Sequence, residues 1–193
     1  MESTNLMDSF DIDELVALAR FDLDKGDLSE ALWKLKKVIA TNNPPAAALS
    51  MAGRLYAQLG LWARAQQMFR QYIAIEPSAI NENFQLGMVH FDAGQSAEAL
   101  KIWEGLLKNH PTHPPALFYR ALLLAEANQV MEARHSLDIL LKSAPADNLH
   151  FKQGKELLAS LDARQAMANA TSAVSTTNEE FTLSTKNFYR TEH

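Results

Sequence analysis

Apolar residues recur along most of this chain at helical spacing. Leu15, Leu18 and Ala19 share one face, and Leu32, Leu35 and Val38 share another after a short polar break, with the same rhythm downstream. Steps of three and four residues put side chains on one stripe of an α-helix, whereas a half-buried strand alternates at every residue. No segment sustains that alternation, so the pattern predicts an all-α protein.

The polar break itself repeats. "FDLDKGDLSEAL" from Phe21 is echoed by "YAQLGLWARAQ" from Tyr56, "HFDAGQSAEAL" from His90 and "LAEANQVMEAR" from Leu124. Gly26, Gly60, Gly94 and Asn128 stand at a constant step of 34 residues, as do Ala31, Ala65, Ala99 and Ala133. Self-similarity at such a period marks a solenoid of stacked helix pairs. The Gly/Gly/Gly/Asn position predicts a left-handed backbone closing the first helix of each pair. The alanine predicts a close helix–helix approach inside the second helix. Pro77, Pro111 and Pro145 end the second helix of the last three copies, and Pro44 does so one residue late in the first. Asp27 is expected to cap the second helix, with Glu30 completing a capping-box-like pair.

The acidic opening stretch is not a calcium loop. Counted from Asp22, its glycine arrives in fifth rather than sixth place, and the later copies replace the acids with Gln58, Leu59 and Ala93.

These residues resemble the tetratricopeptide repeat (TPR) family, whose signature is W-x2-L-G-x2-Y, then A-x3-F, then P. The second copy matches through Leu49, Ala52, Gly53, Tyr56, Ala65, Phe69 and Pro77, and the third through Leu86, Gly87, His90, Ala99, Trp103 and Pro111. In the fourth, Leu117, Ala121, Ala133, Leu137 and Pro145 fit; Arg120 replaces the leucine, and Asp22 replaces the aromatic in the first. The resemblance implies a right-handed superhelical α-solenoid of antiparallel helix pairs. Four repeats are expected at about 12–45, 46–79, 80–113 and 114–147, after an acidic lead over 1–11. A capping helix follows at 148–167, with Leu157, Leu158 and Leu161 inward and Lys155, Glu156, Asp162 and Arg164 outward. Residues 168–193 are Ser/Thr-rich and expected to be disordered, with Phe181, Leu183, Phe188 and Tyr189 as a candidate docking set. Asn169-Ala-Thr171 is read as a chance glycosylation pattern, there being no secretory signal.

The family's inner surface is lined by the first helix of each repeat. By this resemblance the partner-binding positions are Val16, Arg20 and Leu23, then Ser50, Arg54 and Ala57. Phe84, Met88 and Phe91 follow, then Phe118, Leu122 and Ala125. Two arginines at one end and an apolar strip at the other suit a peptide or helix with an acidic end. The alternative is that the phenylalanines pack internally and the arginines pair with Asp13, Asp24 or another carboxylate. The carboxylate-clamp subtype is not matched, since its asparagine positions hold Arg20 and Arg54.

The chain has 193 residues, 47% hydrophobic and 21% charged, with a net charge of −5 and no cysteine. That balance suits a globular protein rather than a membrane-inserted one, and the acidity argues against nucleic acid as the main partner. Disulfides, thiolate metal sites and cysteine nucleophiles are excluded. The acidic, polar N-terminus points to the cytoplasm. His110 and His113 lack a third ligand nearby in sequence, and no phosphate loop, nucleophile elbow or zincin motif occurs. A non-catalytic adaptor or chaperone without cofactor is therefore expected, with a protein or peptide partner. The alternatives are a fixed structural subunit of an envelope-biogenesis or secretion assembly, and self-association through the groove.

Overall fold

A computed structural model describes residues 10–188 in backbone, and residues 10–169 in side chain. Among the described residues there are nine helices and no strand. Eight form pairs that follow the 34-residue period: α1 (Ile12–Lys25) with α2 (Leu28–Ile39), α3 (Ala46–Gln58) with α4 (Trp62–Ile75), α5 (Ile80–Asp92) with α6 (Ser96–Asn109), and α7 (Pro114–Glu126) with α8 (Val130–Ser143). The last is α9 (Leu149–Phe188). The chain divides into two compact units, residues 1–111 holding α1–α6 and residues 112–193 holding α7–α9. Within the first unit, pairs stack through α2 on α3 and α4 on α5, and the first helices α1, α3 and α5 also meet in sequence.

The turn within each pair is the predicted left-handed one. Gly26, Gly60, Gly94 and Asn128 have φ of 80°, 70°, 73° and 60°. At each, two backbone bonds close the first helix: Gly26 N–H donates to the Leu23 carbonyl at 3.0 Å and Asp27 N–H to the Asp22 carbonyl at 2.8 Å. The three later turns repeat this double closure. It also corrects the expectation for Asp27, whose side chain makes no cap bond to α2. Asp27 already ends the preceding helix and has ψ of 69°, away from the extended backbone that aims a capping side chain at the next helix. Leu61, Gln95 and Gln129 occupy the equivalent place under the same constraint, and none caps by its side chain. A full capping box exists instead at Asp11 and Glu14, opening α1.

Helix pairs close around a small residue on the first helix and a large one on the second. Ala31, Ala65, Ala99 and Ala133 are fully buried, as are Leu35, Phe69, Trp103 and Leu137 four residues on. Facing them at one signature position are Ala19, Gly53, Gly87 and Ala121. A Cβ on Gly53 would lie 3.0 Å from the Phe69 ring, and one on Gly87 would lie 2.1 Å from the Trp103 indole. Glycine thus stands opposite the two aromatic rings, while alanine occupies the copies that carry leucine. Trp103 donates from Nε1 to the Phe84 carbonyl at 3.3 Å, which satisfies its one polar atom in the core.

The first pair departs from the pattern at Asp22, and an ion pair takes the place of the aromatic. Lys34 Nζ lies 2.6 Å from the Asp22 carboxylate and 3.3 Å from Glu30, with only 6% of its side chain exposed. Burial lowers the Lys34 pKa, but the bonds and charges of Asp22 and Glu30 outweigh it and hold it above 10.5. That stabilisation is whole below pH 10.5 and is lost as pH rises through the folded-state value. In the fourth pair Arg120 donates to Ser136 Oγ at 2.5 Å, accommodating a guanidinium where the signature has leucine.

α9 docks on α7 and α8 through Gly154, whose Cβ would lie 2.8 Å from Leu140, and through buried Leu161, with Leu157 and Leu158 half-buried. Asn148 caps its start, accepting from His150 N–H at 2.8 Å. Asp162, expected to face water, is exposed and also pairs with Arg134 of α8 at 2.5 Å. The expectation of a helix ending near 167 and a disordered tail differs from the structure, in which helical backbone continues to Phe188. No glycine or proline follows Gly154 to interrupt the turn-by-turn bonding. Tyr189 and the side chains of Phe181, Leu183 and Phe188 lie outside the described residues.

We expect Gly87→Ala to destabilise the fold by about 2 kcal/mol, because the Trp103 ring fills the space a methyl needs. Gly26→Ala should also cost stability, but through backbone strain at φ 80° with nothing within 4 Å. Urea unfolding, with helicity of the folded variants as a control, checks both.

Candidate functional site

In the first unit the candidate positions lie along α1, α3 and α5. Arg20 and Arg54 are exposed, Val16, Leu23, Ala57 and Met88 are half-buried, and Ser50 is buried. Arg54 is tied into a polar network across two helices. Its Nη2 donates to Ser50 Oγ at 2.6 Å and lies 3.7 Å from Glu82, while Ser50 Oγ donates to Glu82 Oε1 at 2.9 Å. The guanidinium keeps 62% of its side chain exposed, so the pair orients the arginine without removing it from solvent. Arg20 has no hydrogen-bond or ion-pair partner among the described residues.

The aromatic positions are packed rather than free. Phe84 stacks on Trp103 at 6.1 Å between centroids with an interplanar angle of 27°, and Phe91 meets the same indole at 6.1 Å and 45°. Both remain half-buried, with part of each ring held by the core. In the second unit Phe118 and Ala125 are buried and Leu122 is half-buried. Phe118 lies edge-on to Tyr119 at 5.3 Å and against His150 of α9 at 5.6 Å, so the cap helix covers it. The His150 ring is also 6.0 Å from Tyr119, and its Nδ1 is buried without a hydrogen-bond partner among the described residues. Burial lowers the His150 pKa below its ordinary 6.5, with Gln153 opposing.

Sequence reasoning missed Glu82, because the neighbouring copies carry Ala48 and Ala116 at that phase and the period gives no signal there. It also missed Tyr72 of α4, whose hydroxyl pKa is raised by burial and by the carboxylates of Glu82 and Glu76. His113 proves to be the cap of α7, accepting from Ala116 N–H at Nδ1 at 3.3 Å, and no group of three metal-ligating side chains occurs among the described residues. Nor is any helix among them long and apolar enough to cross a membrane.

The family profile described as tetratricopeptide repeat matches residues 16–80 and 84–148, well over half of the chain. The chain belongs to the tetratricopeptide repeat family. Solved TPR structures share its fold. A TPR protein from Parabacteroides merdae ATCC 43184 superposes with a TM-score of 0.69 at 24% identity, over 79% of this chain and 60% of that one. MamA does so with 0.65 at 20% identity, over 69% and 78%. YrrB, described as a TPR protein with an unusual peptide-binding site, gives 0.66 at 18% identity, over 75% and 74%. At these identities the likeness shows the fold alone. Cellulose synthase operon protein C of Pseudomonas fluorescens (strain SBW25) is 31% identical over 88 residues, which is 46% of this chain and 7% of that protein. The chain thus spans a small fraction of that relative's length.

The pKa shift of His150 predicts acid sensitivity in the second unit. Its neutral form is favoured in the fold, so the contribution is present above pH 6.5 and is lost as pH falls through the lowered folded-state value. We expect the urea midpoint to drop between pH 7.5 and 5.5, and His150→Phe to flatten that dependence.

Proposed function

We propose that this TPR protein is a non-catalytic adaptor or chaperone that takes a peptide or helix of a protein partner on the first-helix face of its first unit. The observation that carries this reading is the placement of Arg20 and Arg54. They are exposed cations one repeat apart on neighbouring helices, one without a hydrogen-bond or ion-pair partner among the described residues and the other held in position by Ser50 and Glu82. Half-buried Val16 and Leu23 share the α1 face of Arg20 at helical spacing, and half-buried Met88 stands in α5 at the arginines' own phase, one repeat after Arg54. A carboxylate at the arginines and an apolar side chain alongside is the partner chemistry such a face fits. Phe84 and Phe91 remain half-buried at their positions on it, while Leu122 is the most accessible of the three positions assigned in the second unit. The family consists in general of interaction modules for protein or peptide partners, which agrees with an absence of catalysis.

A second reading is a fixed structural subunit of a larger assembly, favoured by the similarity to cellulose synthase operon protein C. The two differ in whether the partner is conditional or constant.

The test is affinity capture from native lysate by the full chain, comparing wild type with Arg20→Glu/Arg54→Glu, both substitutions being at exposed positions. Loss of the dominant partner, by tenfold or more, is expected. Unchanged capture by the folded variant would place the contact elsewhere and favour the structural subunit.

A further inference from the structure

A cleft of about 520 Å³ opens between α4 and α6, the second helices of two successive pairs, and neither Arg20 nor Arg54 lines it. Ile73, Leu86, Ile102 and Leu106 supply its apolar lining, and Arg70, Lys101 and Glu98 stand at its edge. Among the residues that line it is Gly105, in the interior of α6, where an added Cβ would meet no atom of a neighbouring side chain or helix within 4 Å.

That glycine has no structural reason to be there. Its backbone is helical rather than left-handed, and unlike Gly53, Gly87 and Gly154 it faces no neighbouring side chain. A helix-interior glycine costs about 1 kcal/mol relative to alanine. The equivalent residues in the other copies are Lys37, Gln71 and Ile139. The corresponding cleft one period earlier, between Ile39 and Ile75 and lined by Gln71, holds about 300 Å³. The cleft at Gly105 is thus larger than its counterpart at Gln71, and its volume is well within the size range of a ligand pocket.

The charge at its edge says what enters. Arg70 and Lys101 face a single carboxylate, Glu98, in a chain whose net charge is −5. Arg70 Nη2 donates to Nε2 of buried His90 at 3.2 Å, which fixes the guanidinium at the rim and leaves it charged. The other ring nitrogen of His90, Nδ1, lies 2.6 Å from Gln95 Oε1, so the imidazole is held from both sides. Lys101 is exposed and has no hydrogen-bond or ion-pair partner among the described residues.

We propose that the α4/α6 cleft is a second docking site, which takes a bulky apolar side chain of a protein partner flanked by carboxylates, the apolar group seated over Gly105 and the acids on Arg70 and Lys101. It does not depend on the first-helix face.

The experiment is a ¹⁵N–¹H titration of the full chain with the peptide acetyl-Glu-Asp-Leu-Phe-Asp-Glu-amide. Two control peptides replace Leu-Phe with Ala-Ala or the four acids with Lys. Saturable shifts centred on Gly105, Lys101 and Ile73 are expected, weakened at least fivefold by either control and by Lys101→Glu, and abolished by Gly105→Leu. Gly105→Ala should raise the unfolding midpoint, which establishes that filling the position leaves the fold intact. No shift at α4 and α6, equal binding by Gly105→Leu, equal binding of the Lys peptide, or shifts centred instead on Arg54 would each overturn the site.

Discussion

The contact on which this protein depends is that between a large side chain of the second helix and the bare backbone of the first. Trp103 sits where any Cβ on Gly87 would penetrate its ring, and Phe69 sits over Gly53 less tightly, 3.0 Å from where a Cβ would be. Such closeness is available only if the first helix carries little or no side chain at that point, and it brings an aromatic ring wholly into the core. The same contact sets the direction of the ring's neighbours: Phe84 and Phe91 flank Trp103, so two positions on the candidate binding face are partly held by the core behind it. Packing and surface are thus coupled through one indole.

The turns impose a second constraint that works with the first. Each left-handed residue closes one helix and at once begins the next, leaving no room for side-chain caps at Asp27, Leu61, Gln95 or Gln129. Backbone bonding does the work that caps do elsewhere. Sequence at those four positions is consequently unrestrained by capping, and it varies freely between acid, apolar and amide. Where the repeat loses its aromatic, at Asp22, a buried lysine pair substitutes for it, and the helices remain together.

The features that repeat were the ones readable from sequence. Gly26, Gly60, Gly94 and Asn128 announced their backbone conformation because few residues tolerate it, and the alanines announced close approach because few residues fit. The features that occur once gave no periodic signal. Glu82 and Tyr72 beside Arg54, the Asp22–Lys34 pair, and the open space at Gly105 depend on what lies across from a residue, and a one-dimensional period does not contain that. The groove positions implied by the family resemblance repeat with the period whatever lies across from them, so they include residues such as Ser50, Phe118 and Ala125 that are buried against neighbours. The composition of residues 168–188 suggested disorder, yet nothing in it breaks a helix, and the backbone of α9 runs through.

The most direct test of the packing account is a double-mutant cycle at one pair, converting the Gly53/Phe69 contact into the alanine/leucine solution of the first and fourth copies. Unfolding free energies would be measured for Gly53→Ala, Phe69→Leu and the double variant. If the small and large positions are fitted to each other, the double variant is more stable than the sum of the single losses implies, by about 1 kcal/mol or more. Strict additivity would show that the two positions act independently and would contradict the account.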